Sequence, residues 1–143
     1  MAEVKYWQVL HRLPAKPRGF HLITHDVIQA LKSMPAIETG IIHLFIQHTS
    51  ASLCINENTC EDVRLDLEAY FNRSVPEDNH LYRHILEGED DMPAHIKNVL
   101  LGASLNIPLI QGKPGLGQWQ GIYLCEHRNE APSRNIVITV HGV

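Results

Sequence analysis

Residues 41–56, IIHLFIQHTSASLCIN, hold an apolar strand that runs directly into a series of polar side chains. Ile42, Leu44 and Ile46 share one parity, so in an extended strand they point to the same face and pack into a core. In a chain that stays extended, this row continues with His48, Ser50, Ser52, Cys54 and Asn56. A row that changes from apolar to polar is typical of a strand that leaves the core and lines a pocket. The alternative is that the polar residues lie in an ordinary solvated turn.

The composition predicts one soluble globular domain spanning residues 1–143. Hydrophobic residues make up 44% of the chain, charged residues make up 20%, and the net charge is -4. This mild acidity argues against a nucleic-acid-binding surface. No stretch approaches the roughly 18 apolar residues of a membrane span, and residues 1–10 lack a secretory signal pattern. We therefore expect a cytoplasmic protein that binds neither nucleic acid nor membrane. The cysteines show no Cys-x-x-Cys spacing and are expected to remain free thiols.

Short periodic segments predict an α+β domain with about six or seven mostly antiparallel strands, arranged as a sheet or sandwich, and three helices. The short turns between strands favour antiparallel pairing. Thr59 and Asp62 have the spacing of a capping box and predict a helix that starts at residue 60. The predicted strands are 4–11, 20–23, 41–48, 52–56 as a partner of 41–48, 104–110, 118–125 and 135–141; the predicted helices are 24–34, 60–72 and 93–101.

Histidines and carboxylates concentrate in the long polar segment 74–91 and at the start of the helix that follows it. His80 and His84 are four residues apart and would share one face of a helix, and His95 follows the acidic run 87–91. Imidazole and carboxylate together suit zinc or another first-row divalent ion that keeps positions open for water or substrate. The alternative is that the two loop histidines only decorate a solvated acidic loop.

Charged side chains near two other elements are candidates for anion binding and acid–base chemistry. Lys97 lies near the start of the predicted helix, where free backbone N–H groups favour a phosphate. Glu126 and Arg128 end a buried strand and Arg134 follows a loop, which supplies groups for general acid–base catalysis and anion binding. The alternative is an exposed loop with a Glu–Arg pair. Cys54 has no neighbouring base and is interpreted as a small buried or pocket-lining residue rather than a nucleophile.

Four blocks of sequence occur in an order that resembles the YjbQ family, also called the secondary thiamine-phosphate synthase family. The blocks are 45–53 (FIQHTSASL), 91–97 (DMPAHIK), 100–102 (LLG) and 116–128 (LGQWQGIYLCEHR). The resemblance covers nearly the whole chain. Gln118 stands where threonine is common in the family and Ala103 where serine is common, and neither change removes a candidate ligand.

The resemblance implies a YjbQ-like α+β fold assembled as a homotrimer, with polar residues clustered near the subunit interfaces. Strands such as 122–125 are apolar on both faces, and they also favour an oligomer because one small domain offers them little cover. By analogy with the family, the candidate site residues are His48, Cys54, Asn56, His84, Asp91, His95 and Glu126, with Arg134 serving the same pocket.

The activity that the resemblance implies is that of a transferase, a weak thiamine-phosphate synthase that joins hydroxymethylpyrimidine diphosphate to thiazole phosphate and releases diphosphate. Such chemistry needs a divalent ion or cations on the leaving group. The metal ligands are then His48, His84 and His95, with zinc favoured and magnesium or manganese as alternatives. The residues that would bind the phosphate groups of a phosphorylated substrate are Arg128, Arg134 and Lys97. The catalytic candidates are Glu126 as a general base, Asp91, Cys54 and Asn56.

Two other functions stay open. One is a metal-dependent hydrolase or lyase that acts on another phosphorylated metabolite with the same residues. The other is a non-enzymatic trimeric module that binds a metal or an anion.

Overall fold

In residues 2–143, which the computed structural model describes, eight strands form two antiparallel sheets and three α-helices accompany them. The strands are β1 (Lys5–Leu13), β2 (Gly19–Leu22), β3 (Thr39–Ile46), β4 (Ala51–Glu57), β5 (Ser104–Ile110), β6 (Lys113–Pro114), β7 (Gln120–Glu126) and β8 (Arg134–Gly142). The helices are α1 (Thr24–Leu31), α2 (Glu61–Ser74) and α3 (Asp91–Leu101), and Asn79–Leu81 forms one 3-10 turn. The strand order is β1-β8-β3-β5-β6 in the larger sheet and β2-β7-β4 in the smaller one. The predicted α+β fold with antiparallel sheets is confirmed.

The core lies between the two sheets. Ile42, Leu44 and Ile46 of β3 face it, as their shared parity predicted, and each is at most 1% exposed. Leu53 of β4 and Leu124 of β7 approach from the smaller sheet, and α1 packs its apolar face on the same cluster. Full burial of each such aliphatic side chain stabilises the fold by about 1.5–3 kcal/mol. The two sheets are therefore held together mainly by the hydrophobic effect.

The central strand of the smaller sheet, β7, is buried on both faces. Leu124 points into the core between the sheets. Tyr123 and Cys125 point the other way and pack with Leu67 and Phe71 of α2. The cover for this doubly apolar strand thus comes from a helix of the same chain. The argument that this strand needs cover from a neighbouring subunit is therefore wrong. The alternation of residues within the strand does not show which layer covers it, so the sequence did not reveal the helix.

Strand β4 pairs with β7 along its whole length and not with β3, so the predicted pairing of 52–56 with 41–48 is wrong. The chain turns at residues 47–50 and crosses from the larger sheet to the smaller one. Ser50, the last residue of this turn, is buried, and Ser52 lies opposite Cys125 on the helix-covered face. Because the chain changes sheets here, the parity that orients Ile46 does not carry over to Ser52. The polar residues that follow Ile46 therefore fit neither expectation: they do not extend the core-facing row of β3, and they do not lie in an open, solvated turn.

Three local predictions about helices differ from the structure. The carboxylate of Glu57 accepts a hydrogen bond from the Cys60 backbone N–H at 3.0 Å, and it replaces the expected Thr59 capping box at the start of α2. His80 lies in the 3-10 turn and His84 lies in the irregular chain beyond it, so the shared helical face does not form. Helix α3 begins at Asp91, two residues before the predicted start. Among the described residues, no helix is long and apolar enough to cross a membrane.

Candidate functional site

Two histidines meet one carboxylate oxygen at the start of α3. Asp91 and His95 are four residues apart on this helix, so they lie on the same face. The Oδ2 atom of Asp91 is 2.7 Å from Nε2 of His84 and 3.0 Å from Nε2 of His95. Glu87 adds a second carboxylate, 3.6 Å from His84 Nε2. One donor atom from each of the four residues lies within 4.8 Å of the other three.

The hydrogen bonds of His95 place either a proton or a metal ion at its Nε2. Its Nδ1 lies 2.8 Å from the carbonyl oxygen of Thr49, which can only accept, so Nδ1 carries a proton. In a neutral imidazole the other nitrogen, Nε2, then holds a lone pair. That lone pair would face the carboxylate oxygen of Asp91 at 3.0 Å, which is repulsive unless a proton or a metal ion lies between them.

The donor set fits a small divalent ion. Two imidazole nitrogens and one carboxylate oxygen are the ligand combination of many catalytic zinc sites. Ligands about 2.0–2.1 Å from a tetrahedral ion are about 3.3 Å from one another, so the 2.7 and 3.0 Å contacts need only a small expansion. The Asp91 side chain is 2% exposed, whereas those of His84 and His95 are 47% and 28% exposed. An ion here would be anchored from the protein side and open toward solvent.

Arg128 holds the Asp91 carboxylate and the neighbouring backbone in place. Its guanidinium donates to Oδ1 of Asp91, to Oδ2 of Asp90 at 2.9 Å and to the carbonyl oxygen of Glu87 at 2.9 Å. Burial acts to raise the pKa of Asp91, but hydrogen bonding from His84 and the positive charges of His95 and Arg128 outweigh it, so the pKa lies below its ordinary value. Arg128 therefore orients Asp91 and keeps it ionised, and its donors are not directed at a phosphate.

His48 lies apart from this cluster. Its Nε2 accepts a hydrogen bond from the backbone N–H of Asn135 at 2.8 Å, and its carbonyl oxygen is 3.3 Å from Nδ2 of Asn98. Burial, followed by the nearby charge of Arg134, lowers its pKa. Of the three predicted histidine ligands, the structure brings together His84 and His95 and leaves His48 joining the ends of β3 and β8.

Glu126 and Arg134 form a two-point ion pair inside the protein. The distances are 2.7 Å from Arg134 Nε to Oε1 and 2.6 Å from Nη2 to Oε2. Glu126 is fully buried and Arg134 is 3% exposed. Arg134 also donates to the Ser50 hydroxyl at 3.0 Å, and the Arg128 backbone N–H donates to Glu126 at 3.2 Å. A carboxylate with both oxygens occupied and no exposure is a structural anchor, and this geometry gives no support to Glu126 as a general base.

The remaining predicted site residues lie in three separate places. Lys97 is buried within the protein and donates to Oδ1 of Asn72 at 2.9 Å, so its ammonium does not face solvent. Cys54 contacts Cys125 in the layer between the smaller sheet and α2. Asn56 is near the far end of β4, and its side chain accepts from the backbone N–H of the next residue at 2.6 Å. None of these three belongs to the cluster around Asp91.

Sequence reasoning missed two contributors to the cluster, Glu87 and the backbone of Thr49, and it named Asp91 as a catalytic residue rather than as a ligand beside His95. Glu87 was visible only as one member of an acidic run. The spacing of Asp91 and His95 could have paired these two residues once the helix was extended to its true start. The carbonyl oxygen of Thr49, which sets the protonation of His95, belongs to the backbone and leaves no signal in the sequence.

The comparisons with known proteins agree on one family. The sequence model described as UPF0047 protein YjbQ-like matches residues 10–143. The UPF0047 protein YjbQ of Salmonella typhimurium is 50% identical over 137 residues, which cover 96% of this chain and 99% of that protein. The UPF0047 protein YugU of Bacillus subtilis is 36% identical over 104 residues, covering 73% of this chain and 76% of that protein.

Solved structures match over almost the whole chain. A conserved hypothetical protein from Thermus thermophilus has a TM-score of 0.77 and 31% identity, and the match covers 92% of this chain and 97% of that one. A YbjQ-like protein of unknown function from Sulfolobus solfataricus has a TM-score of 0.88 at 23% identity, covering 99% and 100% of the two chains. At that identity the second match supports the fold alone.

These relatives overturn the expected thiamine-phosphate synthase function. They are named only as UPF0047 proteins, and the Sulfolobus protein is described as being of unknown function. The geometry agrees, because Arg128, Arg134 and Lys97 are all engaged by groups of the protein itself and do not converge on a diphosphate. The family assignment rests on the match to residues 10–143 and on the 50% identity to the Salmonella protein: the chain belongs to the UPF0047 family of YjbQ-like proteins.

Proposed function

We propose that this protein binds a divalent first-row metal ion, zinc by preference, through His84, Asp91 and His95. The observation that carries the proposal is the convergence of these three side chains and Glu87, whose donor atoms lie within 4.8 Å of one another. The Nε2 atom of His95, held toward Asp91 by the hydrogen bond of Nδ1 to Thr49, is in position to bind either a proton or such an ion. Glu87 is exposed and offers either a fourth ligand or an acceptor for a metal-bound water.

The ligand types and their exposure define the kind of site. Three protein ligands and an open position characterise zinc sites that bind water or a small molecule, whereas purely structural zinc sites are closed by four protein ligands. Thr49 and Arg128 would act as outer partners, fixing the ring of His95 and the carboxylate of Asp91 respectively. Magnesium is a weaker candidate because it prefers oxygen ligands.

Elemental analysis of protein purified without chelator tests the proposal. We expect about one metal ion per chain in the wild type, and loss of that ion in His84→Ala and in His95→Ala. His80→Ala is the matched control, because this exposed histidine belongs to the same loop but not to the cluster. Arg128→Ala should keep the ligands but weaken zinc binding by about 10–100-fold, as removal of an outer partner typically does. Wild-type protein that neither contains metal nor binds added zinc would refute the proposal.

We also propose that the chain assembles as a homotrimer through the outer face of the larger sheet. Tyr6 and Leu10 of β1, Ile41 and Phe45 of β3, and Ile110 of β5 all point to this face, away from the core. Tyr6 is 75% exposed and Phe45 is 43% exposed. Polar side chains such as Gln8, His43 and Thr139 share the face with them. Exposed large apolar side chains gathered on one sheet face favour a protein–protein interface. The number three comes from the family resemblance and not from the geometry.

Size-exclusion chromatography with light scattering tests the assembly. The wild type should have three times the 16.2 kDa mass of one chain. Phe45→Asp should shift the mass toward that of a single chain, because it places a charge in the proposed interface. Leu65→Asp, which changes an exposed residue of α2 on the opposite side of the smaller sheet, should leave the mass unchanged. A monomeric wild type at micromolar concentration would contradict the proposal.

A further inference from the structure

Two cysteines lie against each other on neighbouring strands. Cys54 of β4 and Cys125 of β7 have their sulfur atoms 3.5 Å apart. In the register of these strands Cys54 is opposite Tyr123 and Cys125 is opposite Ser52, so the two cysteines form a diagonal pair on the face covered by α2. All three cysteines of the chain are free thiols, and the third, Cys60, is exposed.

The two thiols of this pair differ in environment. Cys54 is half-buried, whereas Cys125 has no exposed surface. The Cys125 thiol donates its hydrogen bond to the sulfur of Cys54. This bond lowers the pKa of Cys54 more than burial raises it, while the same contact and burial raise the pKa of Cys125. Cys54 thus carries the thiol that more readily becomes a thiolate and is the less buried residue of the two, whereas Cys125 stays protonated.

We propose that Cys54 and Cys125 form a reversible disulfide when the protein meets hydrogen peroxide or an organic hydroperoxide, with Cys54 as the attacking sulfur and Cys125 as the resolving one. The Cys54 thiolate attacks the peroxide, which breaks the O–O bond, gives Cys54 sulfenic acid and, with one proton, releases water or an alcohol. The Cys125 sulfur then attacks the sulfenic sulfur, the S–O bond breaks, and the Cys125 proton leaves with the hydroxyl as water. The protein loses two electrons and the peroxide gains them.

The geometry indicates that this bond is readily reduced. The sulfur atoms must move from 3.5 Å to about 2.05 Å. Diagonal partners on antiparallel strands have Cα atoms about 7–8 Å apart, whereas most disulfides join Cα atoms about 4.4–6.8 Å apart. Closing a disulfide between diagonal partners therefore requires the two strands to move, and disulfides that store such strain have higher reduction potentials than structural ones. The pair therefore suits a reversible modification rather than a permanent crosslink. This inference does not depend on the metal site.

The test uses Cys60→Ser protein, in which the exposed thiol can no longer link two chains. After treatment with hydrogen peroxide, we expect the intact mass to fall by two hydrogen atoms and peptide mapping to find Cys54 linked to Cys125. Treatment with a phosphine reductant should restore both thiols.

Two variants identify the roles of the thiols. Cys125→Ala should leave a sulfenic acid at Cys54 that dimedone traps, and Cys54→Ala should leave Cys125 reduced. Peroxide-treated Cys60→Ser protein in which both thiols remain free for alkylation after unfolding would overturn the proposal. Conversion of Cys54 to sulfinic acid without any crosslinked peptide would overturn it as well. Both of these outcomes are measured on Cys60→Ser protein, which retains Cys54 and Cys125. They therefore remain valid tests even if the alanine variants fail to fold.

Discussion

We expect the free energy of unfolding to fall less between pH 7 and pH 5 in His127→Gln than in the wild type. His127 is 2% exposed, and its Nε2 lies 2.7 Å from the hydroxyl of Ser52. Burial, followed by the positive charges of Lys97, Arg18 and Arg134, lowers its pKa from 6.5 to about 3. The folded protein therefore keeps this imidazole neutral at pH values where the unfolded chain protonates it.

The sign and size of the effect follow from proton linkage. Between about pH 6.5 and pH 3 the unfolded state binds one more proton at this residue than the native state, so the free energy of unfolding falls as the pH falls. Each pH unit within that window costs about 1.4 kcal/mol. From pH 7 to pH 5, His127 alone should therefore remove about 2 kcal/mol of stability.

Urea unfolding at the two pH values, with chelator in every sample, measures this quantity. Glutamine keeps a hydrogen-bonding group near the position of Nε2 but does not titrate. We compare the change in unfolding free energy between pH 7 and pH 5 in the wild type with that in His127→Gln, so the contributions of the other histidines cancel. The wild type should lose about 2 kcal/mol more than the variant. Equal losses in the two proteins would show that His127 titrates normally, and the reasoning about its burial would be refuted.

Two further substitutions test the ion pair and the sheet. Glu126→Gln should lower the free energy of unfolding by about 3–5 kcal/mol, because it leaves the charge of the buried Arg134 uncompensated. The control is Glu130→Gln, which changes an exposed carboxylate. Equal urea midpoints for the two variants would contradict a structural role for the Glu126–Arg134 pair. Gly40→Ala should destabilise the protein by at least the about 1–3 kcal/mol typical of overpacking, because a Cβ on Gly40 would lie 2.0 Å from the carbonyl oxygen of His141 on β8. A thermal unfolding midpoint equal to that of the wild type would show that β3 and β8 are not packed this closely.

The strands and helices were predictable where one local period governs a segment. β8 alternates strictly, with Ile136, Ile138 and Val140 on the core face, and its burial alternates in step. Residues 104–110 were predicted as a strand with the bounds that β5 has. The partner of β4 was not predictable in this way, because pairing with β7 joins segments about seventy residues apart and leaves no local period.

The residue types of the candidate site were predictable from the sequence, but the hydrogen-bond partners of its side chains were not. The loop between α2 and α3 and the first turns of α3 supplied His84, Asp91 and His95, as the concentration of ligand types indicated. His48 was grouped with them because all three histidines were assigned as ligands from the family resemblance. In the fold its ring instead accepts a hydrogen bond from the backbone of β8. Sequence spacing shows which side chains can act as ligands, but hydrogen-bond partners from distant segments decide which of them are available.

The geometry of the cluster around Asp91 depends on the chain's crossing between the two sheets, which the sequence analysis did not predict. The turn at residues 47–50 carries the chain between sheets and directs the carbonyl oxygen of Thr49 at His95. The end of β7 leads into Arg128, which holds Asp91 from the other side. These two ligands are thus oriented by elements of the smaller sheet and its connection to the larger one. His84 is held from within the cluster: its polar partners are Glu87 and Asp91, and its ring lies beside that of His95. In the proposed site, Asp91 and His95 form a preorganised pair, and His84 is the ligand whose loop must adjust to complete the coordination.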